Sequence, residues 1–420
     1  MSLLKTSLLN GIAVCVRMGA GLVLNKIFAV HVGPSGFAAI GQLQNFIAMV
    51  TTFAAGAVNT GVTKYAAEYH DDPERKSQLF RTAGTVTVIG SVIACVLLIG
   101  FRNYLNRWLF GETDYTEALV WMGICLVFIS LNALLLAVLA GQKEVRRYVT
   151  ANICSSLVGL LVSGGLAWYM GLKGALIALS LAQAVSLVTT WLACRTLPWC
   201  RVDVLWGKID KATFALLGRF VAMALVSAAV VPVTQMLIRS TLILNFDAAH
   251  AGYWDAMNKI SAIYLALVTT TLSLYYLPRI SEIKDDRLLI GEIKNTFKLV
   301  VPATALFALS IYLFRDLLIK ILFSTDFRGV TELVGWQMVG DVIKISSWLL
   351  AYVLVGKAMM KLFIITEIFF SLTLYFLTTY AVKNFGFQGV SVAYAVNYFL
   401  YFLAMYFIVV EWRLKRFKSE

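Results

Sequence analysis

Charged side chains inside long apolar segments are the residues of this 420-residue chain best suited to chemistry. Asp341 and Lys344 have i,i+3 spacing, and Asp255 and Lys259 have i,i+4 spacing, so each pair lies on one face of a helix. A charge at the centre of a bilayer costs about 2.5–3.5 kcal/mol on insertion scales and therefore tends to line a polar cavity. Each pair is either a structural ion pair or a cation for an anionic substrate beside a carboxylate that titrates.

Four further charges lie within apolar segments. Arg17 and Arg219 are about two turns inside, a depth that a long side chain covers only in part. Lys26 falls on the helix face opposite Arg17 and either reaches out to the interface or lines the cavity. Glu367 is either a proton carrier or a partner of Lys361. The predicted substrate-binding residues are Arg17, Lys26, Arg219, Lys259 and Lys344, and the predicted ion-coupling residues are Asp341, Asp255 and Glu367. Because these cations outnumber the carboxylates, we expect an anionic substrate.

The composition is that of a membrane protein. Hydrophobic residues make up 60% of the chain and charged residues 14%, whereas soluble domains run roughly 45–50% apolar and about 25% charged. Apolar runs of about 20 residues, the length of a membrane-crossing helix, recur along the chain and are continuous rather than alternating. We therefore predict an all-α integral membrane protein with about twelve transmembrane helices. They fall near 8–32, 37–66, 82–101, 116–141, 149–170, 174–194, 213–239, 251–278, 296–314, 332–356, 361–382 and 390–411.

The second half of the chain repeats the first. The string GLKG at 171–174 is echoed by GFQG at 386–389, about 215 residues later. Each half carries six predicted helices, an even number, so both halves enter the membrane from the same side as a parallel repeat. We place the boundary in the polar connection at 195–211. The chain is therefore predicted to form an N-lobe of helices 1–6 over 1–211 and a C-lobe of helices 7–12 over 212–420, around a central cavity.

The net charge of +13 is divided unevenly between the two predicted sides of the membrane. With the N-terminus inside, the loops on that side hold about 23 lysines and arginines against about 8 opposite, which predicts that both termini are cytoplasmic. This asymmetry explains most of the net charge, so nucleic acid is not an expected partner. The six cysteines and three histidines show no paired or ligand-like spacing, so we expect no disulfide framework, metal site or cofactor.

Three strings carry a family resemblance. They are NTGVTKY at 59–65, YLP at 276–278 and WQMVGDVIK at 336–344. Together they resemble the polysaccharide-flippase branch of the multidrug/oligosaccharidyl-lipid/polysaccharide exporter superfamily, and the likeness spans nearly the whole chain. The resemblance implies a transporter of the bacterial inner membrane, rather than an enzyme. Its cargo would be an undecaprenyl-diphosphate-linked oligosaccharide, moved by ion-coupled alternating access from the cytoplasmic to the periplasmic leaflet.

The resemblance leaves several questions open. Both an O-antigen repeat unit and the lipid III of enterobacterial common antigen stay possible as cargo, because the region of Asp255 and Lys259 departs from the lipid III pattern. A polymerase and a chain-length regulator would be further partners beside the membrane lipid. The alternatives are a cation-coupled multidrug exporter of the same superfamily and a membrane enzyme that acts on lipid-linked sugars. A cation-rich interior disfavours the exporter, and the lack of a long outer loop or a paired-carboxylate motif disfavours the enzyme.

Overall fold

The computed structural model describes residues 3–55, 58–69, 71–283, 285–357 and 359–417. Within these ranges the regular structure is helical and strands are absent. The helices of the first half are α1 (Leu3–Ala54), α2 (Val58–Glu68), α3 (Pro73–Gly100), α4 (Arg102–Phe110), α5 (Thr116–Gly141), α6 (Val145–Cys194) and α7 (Val202–Leu205).

The second half begins with α8 (Lys211–Asn245) and α9 (Ala248–Thr271), which continues as a π-helical turn (Leu272–Tyr276) into α10 (Leu277–Glu282). The remaining helices are α11 (Asp286–Leu313), α12 (Arg315–Leu322), α13 (Thr331–Gly356), α14 (Met360–Phe385) and α15 (Gly389–Phe417). Two short 3₁₀ segments, Thr325–Val330 and Gly386–Gln388, lead into α13 and α15.

The predicted membrane spans coincide with these helices, except that the span predicted at 37–66 covers the end of α1 and most of α2. Eight helical segments of the described ranges are long and apolar enough to cross a membrane. Three of them cover two predicted spans each, wholly or in large part, and bend at a glycine with positive φ, namely Gly33, Gly171 and Gly386. The span predicted at 251–278 lies mostly on α9 and runs through the π-helical turn into α10. The helix α9, which carries Asp255, falls outside that set. The prediction of an all-α, multi-pass membrane protein with about twelve spans is therefore confirmed.

The internal repeat extends to backbone geometry. Gly171 and Gly386 have φ of 57° and 66°, a region that L side chains rarely adopt. A second glycine, Gly174 or Gly389, lies three residues beyond each bend. A Cβ there would approach the carbonyl oxygen of Leu166 to 2.0 Å in one copy and that of Ala381 to 2.3 Å in the other. Both copies therefore need glycine for the same close approach.

The starts of corresponding helices also match. Asp72 and Asp285 are the N-caps of α3 and α11, and each carboxylate accepts a hydrogen bond from a backbone N–H of the first turn. Further along, Phe101 ends α3 and Phe314 ends α11, with φ of −99° and −100° and ψ of 15° in both. A short helix follows in each case, α4 or α12. The repeat thus fixes caps, bends and connections as well as the apolar spans.

The chain divides into two compact units. One comprises Met1–Val32 and Ala39–Pro232, and the other comprises Gly33–Ala38 and Val233–Glu420. The lobe boundary predicted between residues 211 and 212 stays a prediction. The short segment Gly33–Ala38 is thus part of the second unit, although the helical residues on both sides of it belong to the first.

Packing within the second unit explains the position of Gly33–Ala38. Phe37 is fully buried, with its ring edge-on to Phe323 at 5.7 Å and to Phe327 at 5.5 Å between centroids. A Cβ on Gly252 would lie 1.9 Å from the carbonyl oxygen of Pro34, so the backbone of α9 touches the segment directly. Each aromatic pair contributes about 0.5–1.5 kcal/mol beyond the burial of its area.

Candidate functional site

Asp341 on α13 is a fully buried carboxylate held by three hydroxyl groups. The Ser261 hydroxyl donates to Oδ2 at 2.6 Å and the Tyr264 hydroxyl donates to the same oxygen at 2.8 Å. The Tyr394 hydroxyl donates to Oδ1 at 2.7 Å. The exposed fraction of Asp341 is 0%, so these hydroxyls take the place of water.

Local geometry on three helices places these groups. Ser261 and Tyr264 are i,i+3 neighbours on α9 and therefore point in one direction. Tyr394 comes from α15, and its ring lies against Gly340, the residue before Asp341. A Cβ on Gly340 would come within 2.4 Å of Tyr394 Cδ1, so glycine is what lets the ring approach α13.

Lys344 lies one turn beyond Asp341 on α13, within a cage of aromatic rings. Its Nζ is 5.0 Å from the ring centroids of Trp348 and Tyr398 and 5.5 Å from that of Tyr394. An ammonium within about 6 Å of a ring face is attracted by the ring quadrupole, more strongly when the site is dry. For the part of the chain that the structure describes, no ion pair joins Lys344 to Asp341. The structural ion pair that their spacing allows is therefore not formed.

Asp255 is paired with Arg239, which the sequence analysis did not select. Arg239 Nε donates to Oδ2 at 2.7 Å and Nη2 donates to Oδ1 at 2.6 Å, so that the guanidinium grips both carboxylate oxygens. Both side chains are buried, and the ring of Trp254 covers the guanidinium at 5.7 Å. The sequence holds a signal for this pair, because Arg239 and Asp255 are equally far from Asp247 in the turn between α8 and α9.

Lys259 is half-buried on α9, and its Nζ lies 5.7 Å from the ring centroid of Phe37. The predicted substrate cation is thus next to the segment Gly33–Ala38 of the same unit. Glu367, the third predicted ion-coupling residue, is half-buried on α14. The described side chains therefore place two predicted cations and three predicted carboxylates within the second unit.

The other predicted residues belong to the first unit. Arg17 is exposed on α1, and Lys26 is half-buried on the same helix. Arg219 lies on α8, but its side chain is outside the described part of the structure. The two arginines are in a different unit from Lys344, so we keep as a prediction that Arg17, Arg219 and Lys344 meet in the predicted central cavity.

Sequence reasoning missed the aromatic and hydroxyl groups of the site. Tyr394 and Tyr398 have i,i+4 spacing on α15, and Lys344 and Trp348 have i,i+4 spacing on α13. That spacing marks one face of each helix, but it does not tell which faces meet. Across the described residues, no group of three or more His, Cys, Asp or Glu side chains gathers in a way that suits a metal ion.

Solved structures share this fold. An inward-facing multidrug resistance MATE family transporter of the MOP superfamily superposes with a TM-score of 0.75 at 14% identity, covering 96% of each chain. The lipid II flippase MurJ in an inward closed conformation superposes with a TM-score of 0.74 at 14% identity, covering 97% of this chain and 87% of that one. At such identities the likeness concerns the fold alone.

Sequence relatives extend over the full length. The chain is 28% identical to the lipid III flippase of Escherichia coli (strain K12) over 418 residues, covering 98% of this chain and 99% of that protein. The lipid III flippase of Shigella flexneri matches equally well. The profile of the polysaccharide biosynthesis protein family matches residues 3–284, well over half of the chain. This multi-pass membrane protein therefore belongs to the polysaccharide biosynthesis protein family.

Proposed function

We propose that this protein is a flippase of the bacterial inner membrane. It moves an undecaprenyl-diphosphate-linked oligosaccharide from the cytoplasmic to the periplasmic leaflet by alternating access. The observation that carries the proposal is the aromatic environment of the Lys344 ammonium. Its ammonium lies within a membrane-spanning helix and is held by aromatic rings instead of a carboxylate. An ammonium held by ring faces can exchange those contacts for the oxygens of an anionic ligand.

The chemistry of the cargo fits such a site. A diphosphate that joins a lipid tail to a sugar head cannot enter hydrocarbon without compensation, because burying an unpaired charge is very costly. Lysine and arginine form charge-assisted hydrogen bonds with phosphate oxygens, and these are stronger than bonds between neutral groups. Arg17, Lys26, Arg219 and Lys259 are candidates for the same role. The near full-length similarity to lipid III flippases supports this class of cargo.

Asp341 is the proposed site of ion coupling. Its carboxylate is buried one turn from Lys344, and Tyr394 touches both residues. Binding of the diphosphate to Lys344 would change the charge next to Asp341 and hence its preference for a proton. A ligand can drive rocking between two states only if it interacts differently with each of them, and this change of charge provides such a difference.

The test uses purified protein in liposomes that contain a fluorescent undecaprenyl-diphosphate oligosaccharide. An impermeant quencher measures how much lipid has crossed the bilayer. Lys344→Gln should raise the lipid concentration that gives half-maximal flipping roughly tenfold or more, the equivalent of about 1.5–3 kcal/mol, because one charge-assisted contact is lost. The matched control is Lys383→Gln, which removes an exposed lysine from α14. Equal flipping by the two variants would contradict the role of Lys344.

Two further observations identify the cargo and the activity class. The lipid-linked intermediate that accumulates when the gene is deleted separates an O-antigen repeat unit from the lipid III of enterobacterial common antigen. Transport of organic cations by the same liposomes, with no movement of the labelled lipid, would favour a multidrug exporter. Hydrolysis or elongation of the labelled lipid would favour a membrane enzyme. Either result would overturn the flippase proposal.

A further inference from the structure

We propose that Tyr394 is the positioning residue that links Lys344 to Asp341, with its ring serving substrate binding and its hydroxyl serving turnover. The inference rests on the proposed flippase function. It comes from one side chain that makes two contacts of different kinds. The hydroxyl donates to Asp341 Oδ1 at 2.7 Å, and the ring lies 5.5 Å from Lys344 Nζ.

The ring of Tyr394 is built into its place. It is buried, and Gly340 provides the space for it against α13, where a Cβ would come within 2.4 Å of Cδ1. The neighbouring ring of Tyr398 packs against it at a centroid distance of 4.7 Å and an interplanar angle of 65°. A phenol ring is rigid, so any shift that moves its face relative to Lys344 also moves the hydroxyl relative to Asp341.

The groups that face Asp341 come from three helices. Ser261 and Tyr264 reach it from α9, and Tyr394 reaches it from α15. Lys344 is on the same helix, α13, one turn away. Gln337 Nε2, also on α13, contacts Ser261 Oγ at 3.4 Å and so supports one of the donors. Among these groups, Tyr394 is the one that also contacts the ammonium of Lys344.

This arrangement separates two roles. When a diphosphate engages Lys344, the ammonium exchanges its contacts with aromatic rings for contacts with phosphate oxygens. The rings of Tyr394 and Tyr398 therefore influence the affinity for the lipid. If the Tyr394 ring shifts when the diphosphate binds, its hydroxyl shifts as well, and this changes the hydrogen bond to the Asp341 carboxylate. Removal of the hydroxyl should weaken the coupling between the two residues while the ring keeps its place beside Lys344.

The experiment compares three variants in the flipping assay and measures maximal rate and half-saturating lipid concentration separately. Tyr394→Phe removes the hydroxyl and keeps the ring. Tyr398→Leu removes a ring that contacts Lys344 without bonding to Asp341. Tyr406→Phe is the control, because this exposed tyrosine on α15 contacts neither residue. Melting temperature in detergent verifies that each variant is folded.

We expect Tyr394→Phe to lower the maximal rate about tenfold, the effect of roughly one lost hydrogen bond to a charged group, and to leave the half-saturating concentration within about twofold. Tyr398→Leu should raise the half-saturating concentration and leave the maximal rate within about twofold. Tyr406→Phe should match the wild type. As a second measurement, the response of flipping to an imposed proton gradient should be weaker in Tyr394→Phe.

The possible results are distinguishable. If the wild type flips the labelled lipid and Tyr394→Phe equals it in both parameters and in its response to the gradient, the inference about Tyr394 is wrong and the flippase function stands. The same holds if Tyr394→Phe and Tyr398→Leu change the same parameter, because ring and hydroxyl would then have no separate roles. If the wild type does not move the lipid at all, the proposed function fails and the inference fails with it.

Discussion

At the scale of single residues, the second unit satisfies its two innermost carboxylates in opposite ways. Asp341 receives hydroxyl groups from Ser261, Tyr264 and Tyr394. Asp255 receives the guanidinium of Arg239. A carboxylate that binds neutral hydroxyls can gain or lose a proton without leaving a buried cation unpaired, whereas a carboxylate gripped by arginine cannot. The environment therefore favours Asp341 over Asp255 for the proposed role in ion coupling.

Asp341→Asn tests this role. The amide oxygen still accepts hydrogen bonds, but the side chain takes up no proton, so the labelled lipid should bind with unchanged affinity and flipping should no longer respond to the proton gradient. The measurement is the flipping rate with and without an uncoupler. Asp316→Asn on α12 is the matched control, because this aspartate is exposed. If flipping by Asp341→Asn responds to the uncoupler as the wild type does, Asp341 is not the coupling residue, and Asp255 and Glu367 become the next candidates.

Asp255→Ala tests the buried ion pair. Loss of the carboxylate leaves the Arg239 guanidinium buried without its bidentate partner, and such changes cost about 3–5 kcal/mol. We expect a large loss of thermal stability in detergent. The double variant Arg239→Met with Asp255→Leu should recover most of it, since a pair of apolar side chains has no charge to desolvate. A double variant as unstable as the single one would show that packing, rather than charge, dominates here.

The sequence is informative about these residues only within one helix. Spacing correctly placed Asp341 and Lys344 on one face of α13, but the hydroxyl donors of Asp341 and two of the three rings around Lys344 lie on other helices. Tyr394 on α15 and Tyr264 on α9 are distant in the sequence, and hydroxyl donors are too common in apolar spans to stand out. Arg239 was missed because it lies at the edge of its predicted span. For helices that are distant in the sequence, tertiary packing decides which faces meet, and the spacing within one helix does not reveal it.

At the scale of elements, α13 shows how one glycine controls a site. Gly340→Ala should displace the Tyr394 ring, because the new Cβ would lie 2.4 Å from Cδ1, and overpacking of this kind costs about 1–3 kcal/mol. Gly335→Ala on the same helix is the matched control, because its Cβ would make an ordinary contact of 3.7 Å with Tyr312.

Both substitutions gain helix propensity of about 1 kcal/mol. The difference in stability between the two variants therefore measures the cost of the steric clash at Gly340→Ala. We expect Gly340→Ala to lower both the melting temperature and the flipping rate, and Gly335→Ala to preserve or raise the melting temperature. Equal stability of the two variants would mean that α15 shifts freely to accommodate the methyl group. That result would contradict the tight contact between α13 and α15.

The first turn of α9 has a pH-sensitive cap. The Asp247 carboxylate accepts hydrogen bonds from the side chain and the backbone N–H of His250, and these hold its pKa below the usual value. The carboxylate therefore stabilises the folded state above its unfolded pKa of about 3.9, and this contribution is lost as the pH falls through the lowered folded pKa. Asp247→Ala should cost about 1 kcal/mol at neutral pH.

The difference in unfolding free energy between the wild type and Asp247→Ala should shrink when the pH is lowered below about 4. Chemical unfolding at several pH values measures it. Glu112→Ala serves as the control, since Glu112 is exposed in the loop before α5. A difference that stays constant with pH would show that the cap acts through packing and not through its charge.

Most span positions were predictable from apolar length, whereas the division between α1 and α2 was not. The predicted spans match helices, because about 20 apolar residues must form a helix in order to cross a bilayer, but the span predicted at 37–66 covers the end of α1 and most of α2. The sequence analysis separated the two spans on either side of Gly33 and of Gly171, and the backbone leaves helical φ/ψ at both glycines, which confirms the separation. Glycine adopts positive φ without the steric cost that other residues have, so both bends fall at a residue that allows them.

At the scale of the whole molecule, the chain is a duplication whose copies have kept their backbone and changed their side chains. The repeat was visible in the sequence as two matching glycine strings, and the structure extends it to caps and bends. The polar residues have diverged. Asp341 and Lys344 belong to the second copy, whereas the repeat offset of about 215 residues places the apolar Leu126 and Ile129 of α5 at the corresponding positions of the first. The duplicated scaffold therefore carries this pair of charges in one copy alone.

Membrane orientation is the whole-molecule property that remains a prediction. The excess of lysine and arginine predicts that both termini and the loops of Arg146, Lys208 and Arg287 are cytoplasmic. In a background without the native cysteines, Arg146→Cys should resist an impermeant thiol reagent in intact cells and react after the membrane is opened. Lys173→Cys, in the predicted periplasmic connection, is the control and should react in both conditions. The reverse pattern would invert the topology.

The buried pair of Arg239 and Asp255 also bears on how the chain enters the membrane during synthesis. The ribosome synthesises α8 before α9, so the Arg239 guanidinium is made before its partner, the Asp255 carboxylate. Inserted alone, α8 would bring an unneutralised charge toward the hydrocarbon, at up to about 2.5–3.5 kcal/mol on insertion scales. The partner follows only 16 residues later, across one short turn. The two helices are therefore better suited to partition as a hairpin, which makes the pair, rather than either helix, the unit of insertion.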